Sequence, residues 1–565
     1  MESMSKAKDL LRRREVRRVV ASVLGGFVLG LPLAAMHSVS HTEVDDNIAT
    51  IPSKLSLAPS ESRIESGLLF GTIYDDGRFS KYGVGVAINI QEPPAIIQGI
   101  SETSPEAFLQ PFIDYYSQPS LALEGSRDTL VTELKSNFKQ SELLLGSGLS
   151  LATFTLLSLT QNLSTRKRLL ALSPLFAMSA GGAASEYNEW HNDYKIPETY
   201  AISGIQNTKL DGLKTNSPTT AQAIDLAVPY IQRQTERLNT QRKEFNSTAR
   251  QSIEAELLAG AFQLPREKEK TVLITSDMHS NLAMIRAYTH LVEAINTLQE
   301  EPIITSMFSA GDQTYGSAAE KVAIDRMAKI TDTVITINGN HDGEVTNKNQ
   351  QDAGIKVIGE PTKEDVDGLT VLGVSDPSLT KLGALLNQKN VYRESGEPIP
   401  NTERQELQQT TGESLADIAS NDETKPDLIM THEGLGIGPL VGQRFTTKKQ
   451  VDEWMNQSTS EIGDVAGKLT VYGHWHPNSS VVRIVKGISE NYAVVQLGSS
   501  GGASAQNRLN SFSTPFTTLI QQASAMFATY NADGVLMRLQ EVTTGTDGVV
   551  TFQIPIEINS DTSER

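Results

Sequence analysis

From residue 271 onward, short apolar runs alternate with stretches whose apolar residues recur at helical spacing. "TVLIT" precedes "NLAMIRAYTHLVEAINTL", and "IITSMFSA" precedes "SAAEKVAIDRMAKI". The runs "TVITI", "GLTVLGV", "DLIMT" and "KLTVYG" repeat the pattern. Such alternation predicts βαβ units and a largely parallel sheet. "VVRIV" and "YAVVQLG" read as neighbouring strands, and "GVLMRLQEVTTGTDGVVTFQIPIEI" as a β-hairpin that closes the domain. The charged "PREKEK" at 265–270 marks its start, which puts the main domain at 266–565.

Upstream the pattern changes. An uncharged apolar run fills 19–36, just long enough to span a hydrocarbon core of ~30 Å, and two more fill 143–160 and 169–185. Basic residues crowd 1–18, and Arg166, Lys167 and Arg168 lie between the second and third runs. Cationic segments stay on the cytoplasmic side. The expectation is therefore three transmembrane helices (19–36, 143–160 and 169–185), with 1–18 and the loop 161–168 cytoplasmic. A cleaved signal peptide is the alternative for the first run, and a buried helical hairpin for the other two. Residues 37–142 then form an extracytoplasmic α+β segment, with strand-like text at 67–76 and 82–90 and helical text at 105–118 and 127–140. Residues 186–265 read as a polar helical linker. The localisation this implies is a multi-pass protein of the cell membrane whose main domain is extracytoplasmic.

Composition narrows the chemistry. Across 565 residues the formal net charge is −18, and no large basic surface is evident outside the N-terminus, which argues against a nucleic-acid partner. The chain has no cysteine, so disulfides, thiolate catalysis and Cys-ligated metals are excluded. His, Asp, Glu and Asn remain as ligands for a metal.

Polar clusters follow the predicted strands. They are Asp277-Met278-His279, Gly311-Asp312, Asn338-Gly339-Asn340-His341-Asp342, His432, and Gly473-His474-Trp475-His476. Five of the nine histidines in the chain occupy these positions. In an extended chain residues i and i+2 share a face, so Asp277 and His279, and likewise His474 and His476, are expected to converge while Trp475 points away. Taken singly, each cluster has an ordinary structural use, such as an Asp that caps the next helix. Taken together, they would gather at the carboxyl ends of the strands, where open α/β sheets build their sites. Two aspartates, four histidines and an asparagine make a mixed O/N set suited to Mn, Fe or Zn. One carboxylate can bridge two such cations ~3.5–4 Å apart. The glycines before Asp312, Asn340 and His474 allow tight turns.

This ordered set resembles the calcineurin-like metallophosphoesterases, whose motifs run D-x-H, G-D, G-N-H-D or -E, a later H, and G-H-x-H. The resemblance covers roughly 270–510. With the N-terminal apolar runs, "LTVLGVSDP" and "QLGSSGGAS", it is most similar to membrane-anchored actinobacterial members. It implies an α/β fold: a calcineurin-like β-sandwich flanked by helices, preceded here by transmembrane helices and a smaller extracytoplasmic α+β segment. It also implies two divalent metal ions. Asp277, His279 and His476 would hold one, Asp312 would bridge, and Asn340, His432 and His474 would complete the other. His341, oriented by Asp342, would act on the phosphoryl oxygens or the leaving group, while a hydroxide held between the metals attacks phosphorus. One departure is Thr431 before His432, where many members have glycine.

The function expected from this resemblance is a membrane-anchored phosphoesterase acting on a phosphate mono- or diester of a lipid, a nucleotide or the cell envelope. Its partners would be that substrate and the bilayer. A non-catalytic envelope scaffold with a structural metal centre is the competing class, and His341, which has no part in holding metal, speaks against it.

Overall fold

The computed structural model describes residues 22, 27–28, 30–48, 51–59, 63–66, 71–74, 84–90, 119–159, 165–192, 198–203, 212–317, 320–379, 391–392, 398–421, 424–457, 463, 465–503, 519 and 521–559. The basic segment 1–18, most of 19–29, the helical text at 105–118 and residues 161–164 lie outside the described residues. The chain divides into two compact units. One comprises Met1–Asp45, Ser53–Ile90 and Arg127–Ala227, and the other Asp46–Pro52, Gln91–Ser126 and Val228–Arg565.

A seven-stranded sheet in the N-terminal part is built from β1 (Glu43–Ile48), β2 (Ile51–Pro59), β3 (Arg63–Ser66), β4 (Gly71–Tyr74), β5 (Val84–Ile90), β6 (Tyr200–Ala201) and β7 (Lys214–Thr215). Its spatial order is β1-β2-β5-β3-β4-β7-β6. The strand-like texts at 67–76 and 82–90 contain β4 and β5. Residues 186–265 are not one continuous helix: a helix ends at Asn192, β6 and β7 follow, and a second helix spans Pro218–Leu258.

The expected transmembrane helices are overturned. Among the described residues no helix is long and apolar enough to cross a membrane. The run 143–160 falls at the end of the helix Pro119–Leu159, which also carries Glu133, Lys135, Lys139 and Glu142. The run 169–185 lies inside the helix Thr165–Asn192, which opens on Arg166, Lys167 and Arg168, contains Pro174 and continues into Glu186 and Glu189. Both runs are diluted by Ser and Gly and pass into charged sequence within the same helix. The basic cluster thus belongs to the start of a helix, and not to a loop.

The second unit is an α/β sandwich. Its strands are β8 (Lys270–Thr275), β9 (Ser306–Ser309), β10 (Thr333–Thr336), β11 (Lys356–Val357), β12 (Thr362–Val366), β13 (Leu369–Gly373), β14 (Val391–Tyr392), β15 (Pro398–Ile399), β16 (Leu428–Met430), β17 (Leu469–Tyr472), β18 (Val481–Val485), β19 (Tyr492–Gln496), β20 (Ala523–Tyr530), β21 (Leu536–Thr544), β22 (Val550–Phe552) and β23 (Ile556–Glu557). One sheet runs β11-β10-β9-β8-β20-β21-β22 with β23 beside β21, and the other runs β12-β13-β16-β17-β19-β18. Ile274, Phe308 and Ile335 of the first sheet share one buried core with Val371, Met430, Val471 and Val495 of the second. Each such side chain, fully buried, contributes roughly 1.5–3 kcal/mol.

Register places the site. β8, β9 and β10 are parallel, with Thr275 opposite Ser309 and Ser309 opposite Thr336, so their carboxyl ends are level. β13, β16 and β17 are parallel in the other sheet, with Gly373 opposite Met430 and Met430 opposite Val471. Every polar cluster follows one of these ends. The closing hairpin forms as β21 and β22, and β20 joins it to β8 in antiparallel pairing.

Candidate metal centre

The loops after the parallel strands are locked to one another by backbone hydrogen bonds. Asp277 N donates to Gly311 O at 2.9 Å, His279 N to Asp312 O at 3.0 Å and Gly473 N to His432 O at 3.0 Å. The "GSSGG" text after β19 braces the same place: Ser499 Oγ donates to Asp277 O at 2.9 Å, and Asn281 Nδ2 to Gly501 O at 2.8 Å. Asn281 also caps the helix Leu282–Asn296, accepting from the amides of Ala283 and Met284. The chain therefore turns out of β8 into a helix with its backbone tied on both sides.

These turns are left-handed. Asp277, His279, Asp312, His474 and His476 have φ of 53°, 45°, 54°, 69° and 46°. Non-glycine residues seldom adopt such values, and where they cluster the surrounding structure holds them in place. The extended-chain argument for the two i, i+2 pairs fails here, because neither pair lies in a strand. Tertiary contacts aim these side chains instead.

Two glycines are required by close approach. A Cβ on Gly473 would strike Ser276 Oγ and Asp277 Oδ2, and one on Gly339 would strike Asp312 Oδ1 and its amide. The missing side chains let the loops after β10 and β17 reach the carboxylates of the loops after β8 and β9.

Seven predicted ligand residues come together. Asp277, His279, Asp312 and His476 offer atoms all within 4.8 Å of one another, and so do Asp312, His432 and His474. Asp312 is common to both groups. His476 Nε2 lies 2.9 Å from Asp277 Oδ1 and 3.2 Å from His279 Nε2. His432 Nε2 lies 3.3 Å from Asp312 Oδ2 and 3.1 Å from Asn340 Oδ1, while His474 Nδ1 is 2.7 Å from the same Asn340 oxygen.

The donor chemistry fits cations. His432 Nδ1 donates to the Ala310 carbonyl at 2.7 Å, and Nε2 faces two acceptor oxygens. Burial alone would lower the ring's pKa, but Asp312 outweighs it and holds it well above the ordinary value, so a cation at Nε2 would take the place of a proton. A histidine whose other ring nitrogen is fixed by a backbone carbonyl is the usual arrangement of a metal ligand. The Nδ1 atoms of His279 and His476 are buried without a hydrogen-bond partner. Asp277 and Asp312 are fully buried carboxylates. Burial would raise their pKa values, but the imidazoles of His476 and His432 outweigh it and hold both below the ordinary range. Burial lowers His279 to about 3 and, with Arg404 alongside, also lowers His474, which keeps both rings available as neutral ligands.

His341 stands at the edge of this cluster. Its amide donates to Asp312 Oδ1 at 2.9 Å, and its Nε2 is 4.0 Å from Asp312 Oδ2. Asp342 does not turn toward that ring. Its carboxylate accepts from the amides of Gln313, Thr314 and Gly339, each at 3.0 Å. Burial and the neighbouring Asp312 push its pKa up to about 7. It thereby ties the loops after β9 and β10 together.

Two residues at the site have no counterpart in the sequence motifs. Tyr315 stacks on His279 with centroids 4.4 Å apart and meets His341 edge-on at 5.3 Å. Arg404, from the helix Asn401–Ser420, places Nη2 3.2 Å from His474 Nε2 and 3.0 Å from Glu433 Oε2. Tyr315 stands three residues beyond Asp312, so proximity in sequence was an available signal. Arg404 lies on a polar helix with no motif around it.

The family comparison agrees with the residues gathered here. Residues 270–478 match the family model described as calcineurin-like phosphoesterase. Among solved structures, a phosphopantetheinyl hydrolase (PptH) from Mycobacterium tuberculosis is similar at 17% identity over 42% of this chain and 92% of that chain, with a TM-score of 0.25. No curated protein sequence matches the chain. Residues 270–478 are a calcineurin-like phosphoesterase domain, and the protein is a hydrolase acting on phosphoric ester bonds.

Proposed function

We propose that this protein hydrolyses a phosphate mono- or diester at a dinuclear centre. Asp277, His279 and His476 would hold one divalent cation, Asn340, His432 and His474 a second, and Asp312 would bridge them. The observation that carries the reading is that two ligand groups share Asp312. Manganese, iron and zinc all suit this O/N donor set. When bound, the cations neutralise charge on the phosphoryl oxygens and make water a competent nucleophile near neutral pH.

The chain's own residues supply the rest. Buried Asp312 sets the spacing of the two ligand groups, with the His341 amide fixing one of its oxygens. His341, partly exposed at the rim, is placed to donate a proton to a departing oxygen or a hydrogen bond to a phosphoryl oxygen. Tyr315 walls the same side and holds the His279 ring by stacking. Arg404 adds a cation beside His474.

The test is hydrolysis of bis-p-nitrophenyl phosphate and of p-nitrophenyl phosphate by chelator-stripped protein, before and after Mn²⁺ is added. Turnover that appears with Mn²⁺ and is absent from Asp312→Ala supports the reading. Metal uptake with no turnover of either ester would leave a structural centre instead.

A further inference from the structure

The phosphoesterase constellation uses five histidines and leaves His37, His41, His191 and His290. Two of these meet within the first unit. His37 belongs to the helical residues 30–40 and His41 to the turn that follows, so they stand one helical turn apart on the same face. Their ring centroids are 4.1 Å apart with the planes inclined by 33°. Glu186, from the helix Thr165–Asn192, closes on both. Its Oε1 lies 2.9 Å from His37 Nδ1 and 3.3 Å from His41 Nδ1. Ser40 Oγ donates to the same oxygen at 2.9 Å.

We propose that His37, His41 and Glu186 form a separate metal site for a borderline divalent cation of the zinc type. Two histidines a helical turn apart with one carboxylate is a donor set that zinc accepts, with water in the fourth position. Tetrahedral zinc with bonds of ~2.0–2.1 Å sets its ligand atoms roughly 3.3 Å from one another, close to the two separations found here. The three ligand atoms all lie within 4.8 Å of one another, and an ion would displace the contacts of His41 Nδ1 with the His37 carbonyl at 3.1 Å and Ser40 Oγ at 2.9 Å. Ser40 holds the carboxylate from outside, as groups around a metal ligand commonly do. The His37 and His41 side chains are 47% and 60% exposed while Glu186 is 19% exposed, which gives an ion entry from solvent and room for its water. The bound ion would join residues 149 positions apart, pinning the helical turn at His37 to the helix that carries Glu186. Without an ion the same contacts are an exposed His–Glu pair of little energetic weight.

The test uses the full chain, stripped with chelator and dialysed against Zn²⁺, with zinc per chain measured by atomic spectroscopy. The double variant His37→Ala/His41→Ala is expected to hold one zinc fewer than the wild type while Mn²⁺-dependent ester hydrolysis stays unchanged. Glu186→Gln, which keeps the side-chain volume, is expected to weaken that zinc at least tenfold. In an Asp312→Ala background one zinc should persist, and Co²⁺ in its place should give the visible absorption of tetrahedral cobalt. Thermal melting should show a Zn²⁺-dependent rise of Tm in that background which is lost when His37 and His41 are also replaced. Equal zinc content in the wild type, the double variant and Glu186→Gln overturns the proposal and leaves the contact an ion pair only.

Discussion

His474 and His476, separated by one residue, engage different partners: His476 Nε2 is 2.9 Å from Asp277 Oδ1, and His474 Nδ1 is 2.7 Å from Asn340 Oδ1. The left-handed backbone at both residues sends one ring toward the loop after β8 and the other toward the loop after β10. The pair thus spans the two ligand groups that meet at Asp312.

His341 touches the cluster through its amide and its ring edge without being held among the ligand atoms. His341→Ala is expected to retain the metal content of the wild type and lose ~10²–10⁴-fold in turnover, the usual scale for a positioned acid or base. The loss should shrink for esters with good leaving groups. Asp312→Ala should lose metal and turnover together. Metal analysis and rate measurement on the same preparations separate the two, and metal loss from His341→Ala would contradict its assigned role.

Gly473 is a point of steric closure. Gly473→Ala forces its new methyl into Ser276 Oγ and Asp277 Oδ2. Overpacking of this kind costs about 1–3 kcal/mol. Because the displaced group is a carboxylate of the centre, metal affinity should fall as well, by roughly 10–100-fold. Denaturant unfolding together with a metal titration checks both, and unchanged affinity would mean that the loop relaxes freely.

Arg404 and Glu433 form an ion pair at 3.0 Å, with the Glu433 side chain 6% exposed and that of Arg404 22% exposed. Burial raises the Glu433 pKa, and the guanidinium opposes it. Arg404→Met should destabilise the protein by about 1–3 kcal/mol, because it leaves a buried carboxyl without its cation. Arg404→Met/Glu433→Gln should recover most of that loss. A double-mutant cycle by urea unfolding measures the coupling, and additive losses would show that the pair contributes nothing.

Glu320 is buried and accepts from the Tyr315 and Ser317 amides, yet burial pushes its pKa from the ordinary 4.5 up to about 8. A carboxyl raised on folding binds more protons in the native state than in the unfolded chain between those two values. Its contribution to stability is complete below about 4.5 and is lost as pH rises through about 8. Glu320→Gln cannot ionise and should show a flatter decline of Tm across that window at constant metal loading. Parallel curves for the two proteins would count against the assignment.

The order of the polar clusters and the alternation of strand and helix were legible in the sequence, because both are local. Apolar runs define β8, β9, β10, β16 and β17, and the residues following each strand end are simply the next letters. Parallel pairing levels the ends only within each sheet, and the ligand set came from the resemblance of the ordered motifs to the metallophosphoesterases. The membrane expectation for 143–160 and 169–185 failed because the hydropathy of a 17- or 18-residue run says nothing of the charged helix it belongs to. Asp342 shows a similar limit: adjacent to His341 in sequence, it serves the amides of Gln313, Thr314 and Gly339 instead.

What the sequence determined by itself is the inventory and its order: two aspartates, an asparagine and five histidines, each after a strand, in a chain without cysteine. The tertiary structure alone decided the aim of those side chains. Five of them sit in left-handed turns held by contacts from other loops, which no strand periodicity encodes. It alone brought Arg404 to His474 across 70 residues and Glu186 to His37 across 149. Periodicity reports which face of its own element a residue occupies. Contacts between elements arise when sheets and helices pack, and their energies depend on distances that no single segment contains.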